Sequence, residues 1–169
     1  MAELKVLNND NKGFDYWLNQ DFLSHDTKTL LQNADVLIVP LLGFRNSPYP
    51  LFQREVRDLT EFLTINPPQN MNIQVCIDDE SYKELSLCSD DIRLGEILLN
   101  SIFLPLVVNL LAEFIKYLIS KKRMNKNKAM LDITLTITDK KRTKSFQFSG
   151  KAEDFSKTIT QIKDLWEEE

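Results

Sequence analysis

Hydrophobic positions along this chain follow three patterns, and each predicts a different kind of element. The first is strict alternation. In residues 131–138 (LDITLTIT), Leu131, Ile133, Leu135 and Ile137 share one face while Asp132, Thr134, Thr136 and Thr138 take the other, the signature of a strand with one buried side. Phe146 and Phe148 resume the alternation after the charged connection Asp139-Lys140-Lys141-Arg142, which predicts an antiparallel hairpin. Residues 72–77 (NIQVCI) alternate as well, through Ile73, Val75 and Ile77. Residues 36–40 (VLIVP) form a short unbroken apolar run, as in a strand covered on both faces, and residues 83–87 (KELSL) suggest a short edge strand.

The second pattern is helical spacing. Phe52, Val56, Leu59 and Leu63 fall on one side of residues 51–65, opposite Arg54, Glu55, Arg57, Asp58 and Glu61, and Asn66-Pro67-Pro68 ends the segment. Ala152, Phe155, Ile159, Ile162 and Trp166 recur at steps of three and four, behind Gly150 and with Glu153 and Asp154 in the first turn. Residues 24–33 read as a helix that Ser24 or Asp26 can cap, and residues 15–23 as another of mixed spacing. Residues 1–14 are polar and aperiodic and predict a loosely ordered arm.

The third pattern has no polar face. Within residues 94–119, the sixteen positions 97–112 (ILLNSIFLPLVVNLLA) carry no charge. They predict one long helix, capped by Ser89 or Asp90, kinked at Pro105 and ending on cations near Lys121. A segment apolar on all sides must be wrapped by its own domain, by a partner or by lipid. Asn100, Ser101 and Asn109 interrupt the run, and two short strands, a hairpin and several amphipathic helices need a common packing surface. Burial within the domain is therefore the favoured reading, ahead of a partner interface and of a membrane span. The expected fold is α/β (α+β): a small mixed sheet with an N-terminal βαβ unit, a long central apolar helix, a C-terminal β-hairpin and a final amphipathic helix, in one domain over residues 1–169.

Composition narrows the function classes. The chain has 169 residues, 43% of them hydrophobic and 27% charged, with four glycines and six prolines, which excludes disordered, collagenous and repeat classes. Two cysteines, Cys76 and Cys88, make neither a disulfide framework nor a zinc knuckle and point to a reduced, cytoplasmic setting. The N-terminus shows no signal-peptide pattern. The formal net charge of −4 conceals an asymmetry: residues 1–100 hold sixteen acids and eight bases, residues 101–169 nine acids and thirteen bases.

Candidate chemistry is sparse. His25 is the only histidine, which rules out multi-histidine metal ligation, and it reads as a surface residue at a helix start. Arg45 and Ser47, in the loop after the first βαβ strand, and Asp78 and Asp79, at the end of the second, occupy the place where α/β proteins hold ligands. The loop has one glycine, Gly43, and no Gly-Lys-Ser/Thr ending, so it is not a phosphate loop of the standard kind. No metal or cofactor is expected. Lys121, Lys122, Arg123 and Lys126, together with Lys140, Lys141 and Arg142, would make one basic patch if the helix end and the hairpin turn meet at the same end of the domain. Nucleic acid is disfavoured as its partner, because the nearby Tyr117, Phe146 and Phe148 belong in the core.

The segments LPLVVNLLAEFIKYLISKKR, LDITLTITD, KSFQFSG and KAEDFSKTI succeed one another between residues 104 and 159, within the region 94–166. In that architecture the chain resembles small effector-associated modules of bacterial conflict (anti-phage) systems. The resemblance implies association rather than catalysis and carries no catalytic residue. The expected function is thus a non-enzymatic protein-interaction module: an adaptor, inhibitor or effector-associated protein, with a protein partner or a second copy of itself. The alternatives are a ligand- or nucleotide-sensing protein or small enzyme with its site at the strand ends, and a membrane-associated protein using residues 94–119.

Overall fold

A computed structural model describes residues 2–7, 12–85 and 90–168. The chain starts with strand β1 (Glu3–Leu7) and two short helices, α1 (Phe14–Leu18) and α2 (His25–Leu31). There follow β2 (Val36–Val39), the two-residue β3 (Phe52–Gln53), α3 (Glu55–Ile65), β4 (Ile73–Val75) and β5 (Glu84–Leu85). The second half comprises β6 (Ile92–Asn100), α4 (Leu104–Lys121), β7 (Met130–Thr138), β8 (Thr143–Lys151) and α5 (Ile159–Glu167), the last entered through a 3-10 segment, Ala152–Thr158.

Six strands form one mixed sheet in the order β1-β8-β7-β6-β2-β4, and β3 pairs with β5 in a separate parallel ribbon. The βαβ unit is present, with β2 and β4 parallel and Ile38 opposite Val75. The hairpin of β7 and β8 is antiparallel over its whole length, from Met130 opposite Lys151 to Thr138 opposite Thr143. A second parallel pair, β6 with β7, occupies the middle of the sheet.

The long apolar segment departs from the sequence expectation. Its first part, read as helix, is the strand β6; helix begins at Leu104 and runs to Lys121. A central strand covered on both faces is apolar at successive positions, so it lacks the alternation that marks a half-buried strand. Asn100 and Pro105 mark the change. The Asn100 side chain accepts a bond from the Ile102 N–H at 3.2 Å, and Pro105 occupies the first turn of α4, where its missing N–H costs nothing. The expected kink at Pro105 is therefore absent because the proline starts the helix. Asp90 precedes a strand rather than capping a helix; Ser89 and Cys88 lie outside the described residues. Gly95 has φ +74° at a register shift in β6, a bulge that a side chain would strain.

Other boundaries also move. The N-terminal arm contains a strand, β1, paired with β8 from Glu3–Ser149 to Leu7–Ser145. Helix α3 starts at Glu55, residues 52–53 being spent on β3. Gly150 lies within β8, and its open side is filled by Ala2, whose Cα would be 2.5 Å from any Cβ there. The Ser24 hydroxyl caps α2 by accepting the Thr27 N–H, as its position before the helix predicts.

Alternating side chains divide the sheet into two faces. Val36, Ile38, Ile97, Leu99, Ile133, Leu135, Ile137, Phe146 and Phe148 join α3, α4 and the C-terminal segment in one continuous core. On the other face, Leu37, Val39, Cys76 and Leu98 pack with Trp17, Leu23 and Leu31 in a much smaller cluster under α1 and α2. Burial pushes the Cys76 thiol up to about 12, which leaves it protonated and unreactive.

Candidate functional site

The two parallel strand pairs point in opposite directions, because β2 runs antiparallel to β6. Their carboxyl ends therefore lie at opposite ends of the sheet, and each end has its own set of polar residues.

At the β2–β4 end are the residues expected at the strand ends. Gly43 (φ +71°), Arg45 (φ +49°) and Asn46 (φ +60°) all adopt left-handed backbone. The Arg45 guanidinium lies 5.2 Å from the centre of the Phe44 ring. Ser47 Oγ accepts the Tyr49 N–H at 3.2 Å, closing a local turn. Asp78 reaches across to α2, where Oδ1 accepts the Ser24 N–H at 3.0 Å. Hydrogen bonds from the Thr27 side chain and the Ser24 backbone hold its carboxyl below the usual range. Asp78 thus serves as a clasp on the N-terminus of α2, and Asp79 opens the exposed 3-10 turn Asp79–Ser81. No hydrogen bond or ion pair among the described residues joins Arg45 or Ser47 to either aspartate.

The basic residues do not form one patch. Lys121 lies 3.5 Å from Asp58 and 3.3 Å from Glu61, and Lys122 3.1 Å from Asp58, so the end of α4 is tied to α3. Arg123 and Lys126 flank a shallow hollow on the neighbouring surface. Lys140, Lys141 and Arg142 sit at the far end of β7, a nine-residue strand that spans about 27 Å at the usual rise per residue. The correction is topological: the helix end feeds the start of β7 and the hairpin turn leaves its finish. Arg142 stacks 4.2 Å from the Trp166 ring centre and donates to the Glu168 carbonyl at 3.0 Å. Lys144 donates to the carbonyls of Leu165 and Glu168 at 2.9 and 2.7 Å, which suits the negative end of α5.

Two further concavities have charged walls. A cleft of about 370 Å³ opens between the start of α3, the start of β6 and the loop after α4, with Arg54, Asp90, Asp91, Lys122 and Lys128 on its walls. Glu55, only 4% exposed, lies in the same cleft with its Oε1 3.2 Å from Arg54. The sequence does not bring these residues together, because the walls come from three distant stretches that carry no shared motif. A groove of about 450 Å³ lies at the opposite end, against the carboxyl ends of β6 and β7.

On the second face of the sheet, Thr136 Oγ1 donates to Glu96 Oε2 at 2.6 Å and lies 2.7 Å from Ser145 Oγ. With its one proton given to the Glu96 carboxylate, Thr136 must accept from Ser145. Burial raises the Glu96 carboxyl, opposed by the Thr136 hydrogen bond and the charge of Lys12. Among the described residues, no three His, Cys, Asp or Glu side chains converge to hold a metal ion.

A 3-10 turn, Ser101–Phe103, leads into α4 and continues its outer side. Leu104, Val107, Val108, Leu111, Phe114, Ile115 and Leu118 face the core, while Ile102, Leu106, Asn109, Glu113 and Lys116 face outward. Ile102 and Leu106, one turn apart, are 74% and 49% exposed, and Ile65 at the end of α3 is 68% exposed. Contacts of Phe62 with Phe114 and Tyr117, beside the Asp58 ion pairs, set α3 antiparallel to α4. Ile65 therefore lies toward the same end as Leu106. Protein-family models, curated proteins and solved structures were compared with the chain, and none matches.

Proposed function

We propose that this chain is a protein-interaction module of the cytoplasm whose contact surface is the outer face of α4 near its N-terminus. The observation that carries the reading is the exposure of Ile102, in the 3-10 turn that leads into α4, and of Leu106, in the first turn of a helix whose inner stripe is fully used by the sheet. Clustered aliphatic side chains at a helix face are costly in water and gain when a partner covers them. The helix is long and apolar enough to cross a membrane by length and composition. Its packing on the sheet and the outward Glu113 and Lys116 favour docking of one stripe over immersion of the whole circumference.

The test is quantitative affinity purification from the native host with the wild type and an Ile102→Asp/Leu106→Asp variant. A stoichiometric protein recovered with the wild type and lost from a variant that melts at the same temperature supports the reading. Equal recovery with both proteins, or no stoichiometric protein with either, would overturn it.

A further inference from the structure

Independently of the α4 surface, we propose that the groove at the carboxyl ends of β6 and β7 binds a nucleoside monophosphate. The two strands are parallel neighbours, with Asn100 directly opposite Thr138 at their ends, the position where open α/β sheets present ligands. The groove, at about 450 Å³, falls in the size range of small-molecule sites, roughly 300–1,000 Å³.

Three features define the ligand. The β7–β8 turn is locked from within, Asp139 Oδ1 accepting the N–H groups of Lys141 at 2.7 Å and Arg142 at 3.0 Å. Arg142 is committed to Trp166 and Glu168. The ammonium groups of Lys140 and Lys141, by contrast, have no hydrogen-bond or ion-pair partner among the described residues. Two cations with no bonded partner on a braced turn suit a phosphate.

Across the groove, Tyr16 supplies an aromatic wall, braced edge-on by Trp17 with ring centres 5.2 Å apart. The exposed Lys12 ammonium lies over this ring, 5.6 Å from its centre, and swings aside for a base of any identity to stack there. Asp15, on the same wall, is an exposed carboxylate able to accept hydrogen bonds from ribose hydroxyls. Between the walls, Asn100 uses Oδ1 on the Ile102 N–H, which leaves its Nδ2 hydrogens to donate. A phosphate alone would use only one wall, and an uncharged nucleoside only the other.

The test titrates the intact protein with adenosine 5′-monophosphate, inorganic phosphate and adenosine, using calorimetry and amide NMR shifts at Gly13, Asn100 and Thr138. Saturable binding of the monophosphate is expected, at least about tenfold tighter than either fragment. The Lys140→Ala/Lys141→Ala variant, changed only at exposed positions of the turn, should lose at least about tenfold in affinity. Tyr16→Leu should weaken the monophosphate and leave inorganic phosphate unchanged. The proposal fails if the monophosphate shows no binding at about 1 mM. It fails equally if inorganic phosphate binds as tightly, or if the lysine variant binds like the wild type.

Discussion

The two faces of the central sheet are built on different terms. One is a continuous apolar surface that receives α3, α4 and α5, with Phe114, Ile133 and Ile137 wholly buried. The other is apolar only around β2 and Leu98. Toward β7 and β8 it becomes a polar field of Glu96, Thr134, Thr136, Ser145 and Gln147, of which Thr136 and Ser145 are themselves buried. Stability on the first face comes from area removed from water. On the second it depends on every buried polar atom keeping a partner, and the unbonded Trp17 Nε1 shows that this is not complete. The difference teaches where this molecule is robust and where it is sensitive to pH and single-atom changes.

The comparison breaks most visibly in the larger core. Phe114→Ala should cost about 3–5 kcal/mol, the usual penalty for emptying an aromatic site in a packed interior. Leu37→Ala, in the smaller cluster, should cost nearer about 2 kcal/mol, because short α1 and α2 can settle toward the gap. Chemical denaturation of the two variants measures both; equal losses would show that the faces are equally packed.

A smaller effect separates packing from polar satisfaction. Thr136→Val keeps the volume but removes the hydroxyl that Glu96 and Ser145 share. A loss of about 1–2 kcal/mol is expected, whereas a change near zero would mean that water replaces the hydroxyl.

The smallest effect is one of pH. Burial raises the Glu96 carboxyl in the folded chain, so the folded state holds a proton over an interval where the unfolded state has released it. Stability from this group is fully present below the ordinary glutamate value and declines as pH rises through that interval. Glu96→Gln should flatten this part of the stability–pH curve, as read by thermal melts across the acidic range. A variant curve parallel to the wild type would refute the assignment.

Much of the fold was legible along the chain. The alternation in residues 131–138 and the spacing of Phe155, Ile159, Ile162 and Trp166 led directly to the hairpin and the last helix, and VLIV and NIQV to the parallel β2–β4 pair. Ser24 before His25 announced the α2 cap. The candidate sites were much less legible. Asp78 looked like a strand-end ligand because its proton acceptors were visible and their consumer, the Ser24 N–H fifty-four positions away, was not. The basic groups looked like neighbours because distance along the chain says nothing about which end of a strand a turn occupies. Of the 450 Å³ groove, which joins residues near 13–16 to residues near 139–143, only the basic run Lys140-Lys141-Arg142 was visible along the chain, and its opposite wall was not.

By itself, the amino-acid sequence determined which side chains must leave water and, wherever one side of an element stays wet, which element they belong to. Periodicity is a local record of one-sided burial, and it survives without knowledge of neighbours. Only the tertiary structure decided that Ile97–Leu99 lie in a strand, that β1 joins the sheet edge, and that the cations of α4 and of the hairpin turn face opposite ends. A central strand wrapped on both sides loses its periodic record, and the pairing of distant segments is set by contacts that no stretch of chain contains.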